Sequence, residues 1–221
     1  IDSRGRKVCG VITERGRRIT SRCVVLTTGT FMDGSIFIGS FQAPQGRIGE
    51  PAAIGLGTAL RNLGFRLGRM KTGTPARVRK SSLDLDLMEL QEGEETQEGF
   101  SFSPVPAPRP SLPCYITYTN ERTHRIITEN MDTSPLYGGK IVGKGPRYCP
   151  SIEDKVVRFP DRDRHQIFVE PEGEGTEEMY LNGISSSLAE HVQEEFIRSI
   201  RGMEYAQIMR PGYAVEYDYL D

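Results

Sequence analysis

The segment from Gly145 to Phe159 brings a thiol, several cations and two carboxylates together within fifteen positions. Cys149 has Arg147, Lys155 and Arg158 as near neighbours along the chain. Cations beside a cysteine favour the thiolate and can lower its pKa from about 8.5 toward neutrality. The same cations could bind a phosphate or a carboxylate, with Arg147 as a bidentate donor. An equally open interpretation is a buried, inert Cys149 beside a surface network of ion pairs.

The overall composition narrows the class of protein. The chain has 221 residues with a net charge of −2, 26% charged and 37% hydrophobic residues, which is typical of a soluble globular protein. This charge excludes a globally basic nucleic-acid binder but not a local basic face. Because no apolar run approaches the roughly 20 residues of a membrane-spanning helix, no span is expected. The chain also opens with no signal-peptide pattern. It begins and stops without capping elements, so we expect a piece of a larger protein.

The four cysteines, at positions 9, 23, 114 and 149, contain no C-x-x-C pair and have no histidine at metal-ligand spacing. Neither a metal site nor dithiol redox chemistry is therefore predicted. A reducing cytoplasm is the simplest location for such a protein. The three histidines, at positions 124, 165 and 191, are scattered, and none is predicted to act as a general base.

The first thirty residues predict a hairpin followed by a turn. Val8–Ile12 and Arg18–Leu26 are rich in β-forming residues and flank the turn signal Glu14–Arg17. The apolar end Val24–Leu26 predicts a strand buried on both faces. The small residues Thr27–Thr30 follow, and such a turn lets the backbone approach a ligand closely, although it also fits a plain tight turn.

A second glycine-rich loop covers Gln45–Glu50 and precedes a predicted helix from Pro51 to about Leu63, with Gly64 as its stop signal. A loop of this kind that enters a helix N-terminus is a potential anion site. It lacks the Lys-Ser/Thr ending of a phosphate-binding P-loop, which disfavours a nucleotide triphosphatase.

Basic and acidic residues occupy separate segments between residues 61 and 98. Between residues 61 and 80 there are seven cations and no acid, a pattern that could follow a phosphate backbone. The alternative is a solvated face balanced by the acidic run Asp84–Glu98, which could be a helical or mobile surface segment. A proline-rich connector then covers Phe102–Pro113.

The second half predicts alternating strands and helices. Cys114–Thr119 and Gln166–Glu170 read as strands, and Asn120 is a plausible N-cap for a helix over Glu121–Asn130. A further helix is predicted to begin at Ser187, which forms a capping box with Glu190. The apolar stripe of this helix consists of Leu188, Val192, Phe196 and Ile200. The chain closes with a β-like run over Ala214–Tyr219.

Several longer strings, in order and over nearly the whole chain, resemble the GidA/MnmG family of FAD-dependent tRNA uridine 5-carboxymethylaminomethyl modification enzymes. Such strings are more specific than any short motif. They are Val24–Phe31, Gly46–Gly49, Arg69–Pro75, Pro113–Thr117, Thr119–Glu121, Gly145–Lys155, His165–Phe168, Glu170–Gly173, Asn182–Ser185 and Arg210–Tyr213.

The resemblance implies an α/β fold with part of a glutathione-reductase-type FAD-binding domain at residues 1–75. An inserted NAD(H)-associated α/β domain would cover 76–180, and 181–221 would return toward the FAD domain. Contacts with FAD are expected from Thr28, Gly29, Thr30, Gly46 and Arg47. Contacts with NAD(H) are expected from Gly145, Pro146, Arg147, Tyr148, Cys149, Pro150, Ser151, Ile152, Glu153, Asp154, Lys155, Val156, Val157, Arg158 and Phe159.

The resemblance also implies a reaction. Methylenetetrahydrofolate would supply one carbon to C5 of the wobble uridine, with Cys149 as the active-site thiol. An MnmE-type GTPase would be the partner of a cytoplasmic homodimer, and Arg69, Lys71, Arg77 and Arg79 would contact tRNA. The Gly-x-Gly-x-x-Gly flavin fingerprint does not occur in these residues. The alternatives are a non-catalytic NAD- or tRNA-binding module and a folate- and FAD-dependent tRNA uridine methyltransferase.

Overall fold

Antiparallel pairing organises the described part of the chain, which comprises residues 1–5, 7–93, 101–103, 112–146 and 149–221 of a computed structural model. The strands are β1 Asp2–Arg4, β2 Lys7–Ile12, β3 Arg18–Thr20, β4 Ser35–Ile38, β5 Phe41–Ala43, β6 Gln45–Arg47, β7 Glu50–Pro51, β8 Leu67–Thr74, β9 Arg77–Arg79, β10 Glu89–Gln91, β11 Cys114–Tyr118, β12 Gln166–Pro171, β13 Glu178–Asn182, β14 Ile208–Arg210 and β15 Tyr213–Leu220. The helices are α1 Leu56–Asn62, α2 Glu121–Glu129, α3 Ile152–Arg158 and α4 Glu190–Arg198.

The first three strands form a small meander. β2 pairs with β3 from Gly10 opposite Thr20 to Ile12 opposite Arg18, which confirms the predicted hairpin. The second arm ends at Thr20, so the strand predicted over Val24–Leu26 is wrong. A strand buried on both faces needs neighbours on both sides. In the described ranges no strand pairs with these residues, and Val25 is 84% exposed.

The largest sheet has six strands in the order β10-β11-β12-β13-β9-β14. Helices α2, α3 and α4 cover it, and their apolar side chains form one core with those of the strands. The stripe predicted for the last helix is confirmed, since Leu188, Val192, Phe196 and Ile200 are all buried there. The predicted strands at Cys114 and Gln166 and the Asn120-capped helix α2 are confirmed as well.

The second sheet has four strands in the order β5-β4-β15-β8. Strand β8 lies at its edge and pairs with β15 along its whole length, from Thr74 opposite Tyr213 to Leu67 opposite Leu220. The chain therefore leaves this sheet at the end of β8, builds the six-stranded sheet, and comes back at the start of β15.

One face of the β8–β15 pair carries a cluster of ion pairs. Arg69 donates through Nη1 to Asp218 Oδ1 at 2.9 Å and through Nη2 to Glu216 Oε2 at 3.0 Å. Arg61 from α1 donates to the other oxygen of Asp218 at 2.6 Å. Both carboxylates are buried, and Glu216 also accepts the backbone N–H of Val142 at 2.8 Å. The cluster joins β8, β15, α1 and the segment after α2.

The domain limits expected from the resemblance remain predictions. Strand β8 ends at Thr74, next to the limit expected at 75. Beyond the limit expected at 180, residues 184–206 contribute to the core of the six-stranded sheet. Among the described strands after β8, β15 is the one that rejoins the four-stranded sheet.

Two helices begin later than predicted. The helix expected from Pro51 starts at Leu56, because residues 50–51 pair as β7 and Ala53 N donates to Phe31 O at 2.8 Å. The helix expected from Ser187 starts at Glu190 with Ala189 as N-cap. The expected capping box is absent because the Ser187 hydroxyl contacts Glu153 instead.

The acidic run departs from its expected form too, since Glu89–Gln91 is strand β10 at the edge of the six-stranded sheet. Most of the proline-rich connector, at 104–111, lies outside the described residues. Among the described helices, none has the length and apolar character that crossing a membrane requires.

Core packing on the six-stranded sheet yields a stability prediction. Leu188 is fully buried, so Leu188→Ala should lower the free energy of unfolding by about 2–5 kcal/mol through lost burial and the cavity left behind. The same change at Leu90, which is 53% exposed, should cost less than about 1 kcal/mol. Urea unfolding of both variants measures the difference, and similar losses would contradict this description of the core.

Candidate active site between the two sheets

Cys149 lies just before helix α3, and a capping box stabilises the N-terminus of this helix. Ser151 is the N-cap, and it forms a capping box with Asp154: Asp154 N donates to Ser151 Oγ at 3.3 Å and Ser151 N donates to Asp154 Oδ2 at 3.2 Å. Upstream, Cys149 N donates to Pro146 O at 3.2 Å. The thiol is therefore carried by a short turn whose downstream end is held by a helix cap.

The sulfur of Cys149 reaches the four-stranded sheet. Its Sγ lies 3.5 Å from Oγ1 of Thr72 on edge strand β8. Thr72 is directly opposite Val215, so the two side chains share a face of the sheet, together with Tyr217 two residues further along β15. Burial, together with the nearby Cys149, raises the pKa of Tyr217. The thiol thus has two hydroxyl-bearing neighbours that sequence spacing did not reveal.

Lys71 ties α3 to the same strand from the opposite face. Its side chain is buried, and Nζ lies 3.8 Å from Asp154 Oδ2. Asp154 also accepts the Tyr137 hydroxyl at 3.3 Å, and burial together with Asp154 raises the pKa of Tyr137 to about 12. A backbone hydrogen bond also links β8 to the segment before α3, since Lys71 N donates to Lys144 O at 3.1 Å.

Two of the three cations expected to activate the thiol have other partners. Lys155 Nζ donates to Gly183 O at 2.7 Å, and burial lowers its pKa. Arg158 Nη2 lies 3.8 Å from Asp154. Arg147 and Tyr148 lie outside the described residues. In the described part of the segment, the polar contact of the thiol is therefore a neutral hydroxyl rather than a cation.

Several of the fifteen residues expected to meet the dinucleotide are buried and contact other parts of the chain. Ile152 is fully buried in the core of the six-stranded sheet, and its N–H donates to Ser185 O at 2.8 Å. Glu153 is 1% exposed and accepts from Ser186 Oγ at 3.1 Å and from Ser187 N at 3.0 Å. Gly145, Pro146, Val157, Arg158 and Phe159 are exposed and remain available to a ligand.

The two segments expected to hold FAD are in contact with each other. Thr30 Oγ1 donates to Gly46 O at 2.6 Å, and any side chain at position 46 would collide with the ring of Phe31. The glycine-rich loop is a two-stranded hairpin, β6–β7, and Arg47 pairs with Glu50 at 3.6 Å within it.

This hairpin shares a sheet face with the thiol. Ile48 packs with Ile36 and Val215, and its N–H donates to the Tyr213 hydroxyl at 3.3 Å. Since Val215 lies opposite Thr72, the hairpin and the thiol are on the same face of the four-stranded sheet. The structure therefore places on one sheet face two segments that are about a hundred residues apart in the sequence.

The anion site expected at the start of α1 is closed by the chain itself. The Asp33 carboxylate accepts the N–H groups of Gly55 and Gly57, both at 3.2 Å. A helix N-terminus that is already occupied by a carboxylate has little to offer a phosphate.

Three of the four residues expected to contact tRNA are engaged in ion pairs. Arg69 belongs to the cluster with Glu216 and Asp218, and Lys71 is 3% exposed beside Asp154. Arg77 donates through Nε to Glu172 at 2.9 Å and stacks over Tyr180. Arg79 is exposed. The predicted basic surface therefore loses most of its free charge, because long-range ion pairs neutralise it.

The comparisons with known proteins agree on one family. A family model described as glucose inhibited division protein A matches residues 1–221. The chain belongs to this family. The family prediction made from the sequence is thereby confirmed.

Individual relatives cover the whole chain. The protein named tRNA uridine 5-carboxymethylaminomethyl modification enzyme MnmG of Borrelia garinii is 59% identical over 221 residues, which are 100% of this chain and 36% of that relative. Its namesake in Treponema pallidum is 60% identical over 207 residues, or 94% of this chain and 33% of the relative.

A solved structure, Aquifex aeolicus GidA in its form I crystal, has a TM-score of 0.90 and 48% identity over 100% of this chain and 38% of its own. The mixed α/β architecture is thus similar to that of this GidA structure, and the chain spans roughly a third of the curated relatives' length.

Two of the three histidines form a pair in the structure. The rings of His124 and His165 lie 5.2 Å apart, and His124 Nε2 is 2.7 Å from Thr119 Oγ1. Burial lowers the pKa of both, and for His165 the charges of His124, Lys155 and Arg162 act in the same direction. The folded state therefore favours both rings in the neutral form.

This pair yields a pH prediction. Because the folded pKa values lie below the unfolded value of about 6.5, the unfolded chain binds more protons at acidic pH. Stability is retained above about pH 6.5 and lost as pH falls from there through the folded values. His165→Gln should reduce the loss of unfolding free energy between neutral and acidic pH, whereas His191→Gln, at an exposed position, should leave it unchanged. Urea unfolding across this range tests it, and equal pH dependence in both variants would contradict it.

Proposed function

We propose that this chain is the central part of a tRNA uridine 5-carboxymethylaminomethyl modification enzyme that acts at C5 of the wobble uridine. The observation that carries the proposal is the match to a relative of that name at 59% identity along all 221 residues. The named relatives also favour this activity over the uridine methyltransferase alternative. As an isolated piece, the chain lacks about two thirds of the relative's length, so activity belongs to the full-length protein.

Cys149 is assigned as the nucleophile. Uridine C5 is a poor nucleophile until a group adds at C6. Once its proton has passed to water, the thiolate of Cys149 forms an S–C6 bond and moves an electron pair toward C5 and O4. C5 then attacks the methylene carbon of methylenetetrahydrofolate, and the electron pair of one carbon–nitrogen bond of that carbon moves to the nitrogen. Loss of the C5 proton then restores the C5–C6 double bond and expels the thiolate. Thr72, 3.5 Å from the sulfur, orients it for this addition.

The expected cofactors are distributed over the site. Thr28, Gly29, Thr30, Gly46 and Arg47 would form one wall for FAD, on the sheet face that carries the thiol. The exposed residues of the Gly145–Phe159 segment would meet NAD(H). When bound, FAD and NAD(H) supply two-electron transfers, and methylenetetrahydrofolate supplies the carbon. An MnmE-type GTPase partner, a homodimeric state and a cytoplasmic location complete the proposal.

The described residues fit one wall of a flavin site better than they fit a complete flavin site. The Thr30–Gly46 contact makes a close-packed backbone surface beside the thiol's face. The α1 N-terminus, in contrast, is closed by Asp33 and cannot take the pyrophosphate. We therefore assign the pyrophosphate to a part of the full-length protein beyond these residues.

The test is Cys149→Ser in the full-length protein, with Cys114→Ser as the matched control on the six-stranded sheet. Modified wobble uridine is quantified by mass spectrometry, and bound flavin is followed by absorbance. Because serine ionises far less readily than cysteine, Cys149→Ser should lower modification by more than about a hundredfold with flavin retained. Cys114→Ser should remain close to wild type. Near-normal modification by Cys149→Ser would show that the thiol is structural.

A further inference from the structure

An open cleft lies away from the thiol, at the opposite end of α3. It has a volume of about 1250 Å³ and is bounded by α2, the end of β11, the C-terminal half of α3 and the loop 160–164. Small-molecule pockets usually measure roughly 300–1,000 Å³, so this cleft has room for a sizeable ligand. Neither the thiol nor the β6–β7 hairpin lines it.

A stacked pair of side chains lines this cleft. The guanidinium carbon of Arg164 lies 4.2 Å from the centre of the Tyr118 ring. Both residues line the cleft, and Arg164 is exposed. A guanidinium held flat on one aromatic ring can present its other face to a planar group, and nucleic-acid bases stack on such surfaces.

The charges around the cleft are mixed rather than uniformly basic. Four arginines line it, at 125, 162, 164 and 201, together with the acids Glu89, Glu121, Glu129 and Asp163. Arg125 pairs with Glu121 at 3.5 Å. Within the described ranges, Arg162, Arg164 and Arg201 have no carboxylate within ion-pair distance. Such a lining suits one phosphate with polar groups around it and disfavours a duplex, which needs a continuous basic surface.

The inner wall is neutral and polar. The hydroxyl of Thr119 contacts His124 and accepts the backbone N–H of His165 at 2.8 Å. Burial lowers the pKa of His124, so its ring favours the neutral form. A neutral imidazole beside hydroxyls and carboxylates can pair with ribose hydroxyls and base edges, which act both as donors and as acceptors.

We propose that this cleft binds a nucleotide of single-stranded RNA, with the base against the Arg164–Tyr118 stack and the phosphate at Arg162 and Arg201. The inference rests on the proposed function, because it takes tRNA to be the substrate. It moves the RNA-binding site from the sequence run at residues 61–80, where ion pairs consume the charge, to the cleft. A free dinucleotide shares the same chemistry, and Val157, one of the residues expected to meet NAD(H), lines the cleft, so the test includes the dinucleotide separately.

The experiment uses the full-length protein and the double variant Arg162→Ala/Arg164→Ala. The matched control is Arg15→Ala/Arg17→Ala, which removes two exposed arginines from the β2–β3 turn. Fluorescence anisotropy with a labelled short oligouridine measures RNA affinity at several salt concentrations, and NADH fluorescence measures dinucleotide affinity. The cleft variant should bind the RNA at least about tenfold more weakly, because stacking and positive charge are both removed. Its slope of log affinity against log salt should fall by about 0.7 for each phosphate that the variant no longer neutralises.

Weakened RNA binding with unchanged NADH affinity and an unaffected control supports the cleft as an RNA site. Weakened NADH binding, alone or with an equal loss for RNA, overturns it in favour of a dinucleotide or of general anion attraction. Unchanged binding of both probes also overturns it. Failure of the proposed function looks different: the wild-type protein would then produce no modified wobble uridine, whatever the oligouridine affinities are.

Discussion

The ion pairs of Arg69 with Glu216 and Asp218 are the constraint on which the rest of the site depends. Buried carboxylates without a partner cost several kcal/mol, so these two fix the guanidinium between them. Glu216 also accepts the Val142 N–H, and Lys144 pairs with the backbone of β8 a few residues later. Because residues 142–146 lead directly to Cys149, the cluster sets the path by which the thiol approaches the sheet.

Helix α3 also constrains the position of the thiol, from the side of the six-stranded sheet. Its first turn packs Ile152 into the core of the six-stranded sheet, while Glu153 holds the turn at Ser186 and Ser187. Ser187 O in turn accepts the Gly39 N–H of the four-stranded sheet at 2.7 Å. The thiol is therefore positioned by both sheets, and a disturbance of either core would displace it.

Local signals were enough to predict the β2–β3 hairpin, strands β11 and β12, the capped helix α2 and the buried stripe of α4. In each case the residues that decide the structure lie within about ten positions of one another. The errors occurred where distant partners decide. Asp33 and Phe31 delay α1, Glu153 takes the Ser187 hydroxyl from its expected cap, and Val24–Leu26 has no strand beside it in the described ranges.

In the candidate site, too, local signals could be predicted and contacts between distant residues could not. Cys149 and the glycine-rich hairpin could be found from residue types, and family strings joined them. Thr72, Tyr217 and the Lys71–Asp154 contact could not be predicted, because only strand register brings them close to the thiol. The ion pairs of the basic run could not be predicted for the same reason, since residues far along the chain pair with Arg61, Arg69 and Arg77.

The pairing of Thr74 with Tyr213 has an evolutionary consequence. These residues face each other across neighbouring strands, so the chain departs and re-enters where a hairpin turn would otherwise suffice. An ancestral β8–β15 hairpin could accept the whole of residues 75–212 at its tip without any change of register, as insertions between closely spaced ends do. The six-stranded sheet could thus be elaborated or exchanged without any change in the pairing of β8 with β15.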